Sequence, residues 1–143
     1  MRQASVVGFA VAVVAMVLLV FQHSLFATGI TGLMVQALSV LLMIWARVTF
    51  GRRSFHAAAN PTEGGLVTSG PYQFIRHPIY AAVLYFAWSG ILTHLSVTSL
   101  LLGILATSGL ALRILAEERL VEERYPEYAG YAARTRRIIP FVL

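Results

Sequence analysis

Two stretches of the chain carry side chains able to do chemistry. The first is Gly70-Pro71-Tyr72-Gln73-Phe74-Ile75-Arg76-His77-Pro78-Ile79-Tyr80. Pro78 leads into an apolar run, and proline is favoured at the first position of a helix, where its missing N–H costs nothing. Arg76 and His77 therefore stand at a helix mouth, where free N–H groups and the helix dipole attract anions. His77 can serve there as a general base, as a donor to an anion or cofactor, or only as a helix cap. The second stretch is Arg113 with Glu117 and Glu118, at the end of another apolar run. Residues four apart on a helix are neighbours. Ionisable groups at the edge of a membrane span are costly to hold, which makes them functional candidates. The plainer alternative is that Arg113 reaches out to lipid headgroups while Glu117, Glu118, Glu122 and Glu123 form a solvated face. For Arg119, Glu122, Glu123 and Arg124 the plainer reading is adopted; for Arg113, Glu117 and Glu118 both stand.

Other chemistries find little support. The chain has no cysteine, so it has no disulfide, thiolate metal site or thiol nucleophile. Its four histidines lack the spacing of metal ligands. Gly64-Gly65 matches neither a dinucleotide nor a P-loop fingerprint and reads as a flexible turn. Tyr72, Tyr80 and Tyr85 suit either ligand stacking or a membrane-interface belt. His23 and His94 fall in loops away from the other candidates, and His56 reads as a surface residue.

The elements that must position these groups are apolar. In 143 residues, 58% are hydrophobic and only 12% charged, which makes lipid the expected solvent. Ala4–Phe21 and Ile30–Val48 read as two spans, the first retained rather than cleaved as a signal. Residues 50–75, with Arg52, Arg53, His56, Asn60, Pro61 and Glu63, form a polar connector. Pro78–Thr93 and Val97–Ala116 make two further spans, and so short a loop between them requires an antiparallel hairpin. No small-xxx-small face stands out on any one helix. A charged and tyrosine-rich tail follows, with Arg134, Arg136 and Arg137, and the apolar ending Ile138–Leu143 is expected to pack back on the protein or dip into the membrane interface. The net charge of +5 comes entirely from arginine. The arginines sit beside the spans, which fits anionic headgroups and excludes nucleic acid. They also place the connector, the tail and the N-terminus together in the cytoplasm, so both reactive stretches share one face. The fold expected is an all-α integral membrane protein of about four transmembrane helices. Its last two form a hairpin, and a cytoplasmic connector and a C-terminal helix complete it.

Leu66-Val67-Thr68-Ser69-Gly70-Pro71-Tyr72, Arg76-His77-Pro78-Ile79-Tyr80, Arg113 with Glu117-Glu118, the tyrosines 125, 128 and 131, and Ile139-Pro140 together resemble the isoprenylcysteine carboxyl methyltransferase family, with the related phospholipid N-methyltransferases. The resemblance covers about residues 60–141. It implies one membrane-embedded domain over 1–143, with two N-terminal spans in 1–49 and the cofactor site in 50–143. It implies an enzyme using S-adenosylmethionine. Gly65, Leu66, Val67, Tyr72, His77, Pro78 and Tyr80 would then line the cofactor. Arg76 and Glu118 would join them, Glu117 would hydrogen-bond the cofactor, and Arg113 would face a lipophilic acceptor, carboxylate or amine. Two rivals are an NADPH-dependent sterol-type reductase, which shares a His-Pro-x-Tyr segment, and a membrane scaffold that binds no cofactor.

Overall fold

The computed structural model describes residues 2–51 and 65–140. Met1, residues 141–143 and connector positions 52–64 lie outside it, and with them Arg52, Arg53, His56, Asn60, Pro61, Glu63 and Gly64. Uninterrupted apolar sequence gives four helices: α1 (Arg2–Phe21), α2 (Ile30–Phe50), α3 (Pro78–Thr93) and α4 (Val97–Arg124). A fifth, α5 (Tyr128–Arg134), follows in the tail. The fold is that of an all-α membrane protein. Helices α1, α2 and α4 are long and apolar enough to cross a bilayer. With 16 residues, α3 rises only about 24 Å, less than the hydrocarbon core of about 30 Å.

Helix α4 is longer than the expected span. It runs past Ala116 to Arg124 because Glu, Arg and Leu are themselves strong helix formers, so the polar end extends the helix instead of ending it. Its start is fixed by a capping box in which Ser96 and Ser99 satisfy each other's backbone N–H groups. The α3–α4 hairpin forms in antiparallel register, with Trp88 Nε1 donating to Thr107 Oγ1 at 3.0 Å. Yet α4 lies chiefly along α1, and α3 chiefly along α2.

Small residues explain the first pairing. Ser5, Gly8, Ala12 and Ala15, three or four apart, present a buried stripe on α1. A Cβ built on Gly8 would lie 2.5 Å from the Gly109 carbonyl oxygen, and one on Gly109 would lie 2.6 Å from that of Gly8. The backbones of α1 and α4 therefore touch, as small-residue faces allow in lipid. The expectation that no such face stands out is thereby corrected. Around this crossing Ala15, Leu19, Ala87, Ile91, Leu102 and Ala106 form a seam shared by α1, α3 and α4. Helix α2 is tied on by a buried amide. Gln36 Nε2 donates to the carbonyls of Leu25 (2.8 Å) and Phe86 (3.1 Å), and its Oε1 accepts from Ala27 N–H at 3.1 Å.

Candidate functional site

Both reactive stretches meet where α3 begins and α4 ends. A single 3-10 turn, Gly70–Gln73, leads the chain towards α3. Gly70 takes φ +57°, and a Cβ there would lie 2.6 Å from Thr49 Oγ1, so only glycine lets the turn sit against the end of α2. Tyr72 is buried beside the Phe50 ring, with centroids 5.4 Å apart. The tail then folds back as a strap beside residues 74–77. Arg136 N–H donates to Phe74 O at 3.1 Å, Arg76 N–H to Arg136 O at 2.6 Å, and His77 N–H to Arg137 O at 3.0 Å. This pairing forms an isolated parallel bridge between Ile75 and Arg136. Tyr131 donates to Tyr72 O at 2.7 Å, and Tyr85 to Ile138 O at 2.7 Å; Ile138 packs on the helices, Ile139 is exposed, and residues 141–143 of the apolar ending lie outside the described residues.

Two carboxylates, adjacent in sequence, receive different partners. Glu118 is enclosed. Arg76 Nε donates to its Oε1 at 2.9 Å, His77 Nε2 lies 3.3 Å from the same oxygen, and Arg137 Nε donates to Oε2 at 2.9 Å. Arg76 also donates through Nη1 to the carbonyls of Ala132 (2.8 Å) and Thr135 (2.7 Å). The guanidinium expected to guard an anion-seeking mouth is thus turned to Glu118 and the tail. His77 is the residue before α3, but its ring makes no capping bond; it turns to the carboxylates.

Glu117 faces the bundle. Its Oε1 accepts from the Tyr80 hydroxyl and pairs with Arg113 Nη2 at 2.9 Å, while Arg113 Nε donates to the same hydroxyl. Arg113 is only 3% exposed. The Glu117 Oε2 atom lies 3.9 Å from His77 Nδ1, too far for a hydrogen bond. The His77 imidazole therefore stands between the two carboxylates, stacked on the Tyr80 ring with centroids 5.8 Å apart. Side-chain exposure separates the carboxylates: 20% for Glu117 and 11% for Glu118.

Outside the helical spans, burial keeps the phenols protonated and therefore donors. It pushes the Tyr131 hydroxyl up to about 12, against a smaller opposing pull from Arg76. Tyr72 and Tyr128 are pushed up for the same first reason; Tyr131 adds to the effect at Tyr72, and the Glu118 carboxylate at Tyr128.

Of the residues singled out in the sequence, Arg76, His77, Tyr80, Arg113, Glu117 and Glu118 meet in one cluster. Tyr72 and Pro78 are buried at its edge. Gly65, Leu66 and Val67 form a half-buried, irregular approach to the 3-10 turn. Gly65 takes φ +82°, and a Cβ there would meet nothing within 4 Å. Arg137 and Thr135, which the sequence offered only as part of a basic tail, help to build the cluster. Phe9, with no sequence signal at all, has its ring 4.7 Å from Arg113 Cζ. Among the described residues no three His, Cys, Asp or Glu converge as metal ligands.

A model of the phospholipid methyltransferase family matches residues 24–128. The cobalt-zinc-cadmium resistance protein CzcN of Cupriavidus metallidurans is 40% identical over 77 residues, 52% of this chain. The match spans only 35% of that relative's length. No solved structure matches the chain.

Proposed function

The chain belongs to the phospholipid methyltransferase family, and from that premise we propose that it transfers a methyl group from S-adenosylmethionine to a lipophilic acceptor at the cytoplasmic face of a membrane. The observation that carries the reading is the Glu117 carboxylate. One oxygen is held by Arg113 and Tyr80, and the other faces His77 in a partly open position. The donor set suits the cofactor. Glu117 Oε2 can accept from ribose hydroxyls or an ammonium group. The stacked His77–Tyr80 pair offers an aromatic wall, and the apolar Gly65–Val67 backbone, with Tyr72 and Pro78, would line the adenine. Arg76 and Glu118, engaged with each other, hold His77 in place.

The cofactor, when bound, supplies a methyl group already activated by its sulfonium. The acceptor would form its bond to the methyl carbon as the carbon–sulfur bond broke, leaving the cofactor's sulfur as a neutral thioether, so alignment by the surrounding residues would supply most of the rate. Arg113 and Tyr80 orient the reacting groups from the bundle side. A carboxylate acceptor needs no base, whereas an amine loses a proton, and Glu117 Oε2 stands where it can accept one. The acceptor reaches the cluster sideways from lipid, and the cofactor from water.

Thermal denaturation of the purified protein in detergent tests the reading. S-adenosylhomocysteine at about 100 times its dissociation constant contributes about 2.7 kcal/mol and raises the midpoint by several degrees. NADPH leaves the midpoint unchanged. A shift with NADPH and none with S-adenosylhomocysteine would overturn the reading in favour of a reductase.

A further inference from the structure

Helix α1 lies outside the segment that matches the family, residues 24–128, yet it reaches the cluster. The contact of Gly8 with Gly109 draws the α1 backbone onto α4. A Cβ on Gly8 would also lie 3.2 Å from Arg113 N. The next residue, Phe9, is thereby laid over Arg113, with its ring centroid 4.7 Å from Cζ. The same guanidinium lies 5.6 Å from the Tyr80 ring centroid. Such distances are those of cation–π attraction, which gains strength where the cation is removed from water, as Arg113 is. Phe9 itself is 37% exposed, on a stretch of helix whose exposed neighbours include the apolar Val6, Val13 and Val17. Its ring has one side on the buried cation and another towards lipid.

We infer that Phe9 is a positioning residue for the acceptor end of the site: it fixes the Arg113 guanidinium at the threshold that a lipophilic acceptor crosses. The inference rests on the methyltransferase reading and deepens it. The first helix becomes a working wall of the site. An acceptor would lay its apolar part along Phe9 and bring its reacting group to the Tyr80–Glu117 side. Phe9 lies against Arg113, whereas the strap pairs with residues 74–77 and with Glu118. Its loss is therefore expected to disturb use of the acceptor and to spare the cofactor.

The test compares full-length wild type with Phe9→Leu and Phe9→Tyr. Leucine keeps apolar bulk without the ring quadrupole, and tyrosine keeps the ring. Each protein is incubated with radiolabelled S-adenosylmethionine and graded amounts of a bacterial membrane lipid extract. Affinity for S-adenosylhomocysteine is measured separately. Phe9→Leu is expected to need about three- to tenfold more extract for half-maximal labelling, with cofactor-product affinity within about twofold of wild type. Phe9→Tyr is expected to restore the wild-type extract dependence. Unchanged extract dependence in Phe9→Leu, or a parallel loss of S-adenosylhomocysteine affinity, overturns the inference while leaving the methyltransferase reading intact. If Phe9→Leu does not fold, Phe9→Tyr with an altered extract dependence overturns the inference and an unaltered one supports it. Absence of labelled lipid with wild type overturns both together.

Discussion

Glu117 and Glu118 are consecutive residues of one helix, yet they live in different environments. Successive helical positions turn by about 100°, so neighbours in sequence do not share a face. Glu118 points to the strap and is enclosed by Arg76, His77 and Arg137, its acceptor capacity used within the protein. Glu117 points into the bundle, where Arg113 and Tyr80 hold one oxygen and the other lies 3.9 Å from His77 Nδ1. The first carboxylate fastens the tail to the mouth of α3; the second, in the proposed reading, is the one that meets the cofactor. On that reading the pair of acids divides into a frame and a working group. His77 is where they touch, between both carboxylates.

The sharpest way to break this contrast is to neutralise each acid without changing its shape. Glu117→Gln still accepts from Tyr80 and Arg113 but offers a ligand no charge. Charge-assisted hydrogen bonds are worth about 1.5–3 kcal/mol. Methyl transfer and S-adenosylhomocysteine affinity should each fall by about 10- to 100-fold, alongside a lower melting temperature, because Arg113, whose side chain is 4% exposed, also loses its counter-charge. Calorimetric titration and labelling of lipid extract read both. If Glu117→Gln binds as wild type does, the assignment of Glu117 as the working group is lost.

The mirror experiment is Glu118→Gln. Here Arg76, whose side chain is 10% exposed, loses its counter-charge. Breaking a buried pair costs about 3–5 kcal/mol, and the surviving amide oxygen and tail carbonyls reduce that to about 2 kcal/mol. A lower melting temperature should therefore dominate the result. Limited proteolysis should cut the strap near Arg134–Arg137 earlier than in wild type. A stable Glu118→Gln protein that has lost only cofactor binding would reverse the roles given to the two acids.

The contrast was only half legible in the sequence. Long apolar runs announce helices because nothing else in them can satisfy backbone groups in lipid, and the positions of α1 to α4 follow from that. The motif at 76–80 and the pair at 117–118 announce themselves by residue type. Which acid does which job depends on the return of the strap, and the pairing of Ile75 with Arg136 has no local signature. Arg137 looked like any other basic tail residue. The stripe Ser5, Gly8, Ala12 and Ala15 was readable from its spacing alone, but its partner Gly109 was not, since a single glycine in an apolar run fits many arrangements. Phe9 was invisible for the same reason.

The smallest expected effect concerns how the strap is seated. Tyr131 donates to Tyr72 O and is 7% exposed. Tyr131→Phe removes that bond without changing the ring, and should cost about 1 kcal/mol at neutral pH. Its clearer signature lies at high pH. Burial raises the folded-state hydroxyl to about 12, against the ordinary value of 10.0, so the folded protein holds this proton more tightly than the unfolded chain does. The resulting stability is complete below about pH 10 and is lost as pH rises from there towards 12. Tyr131→Phe should therefore make stability fall less steeply over that window. Denaturant melts at pH 9, 10 and 11 measure it. An identical slope in Tyr131→Phe and wild type would mean that the Tyr131 phenol does not seat the strap, which would then rest on its backbone pairing with residues 74–77, the Tyr85–Ile138 bond and the Glu118 ion pairs.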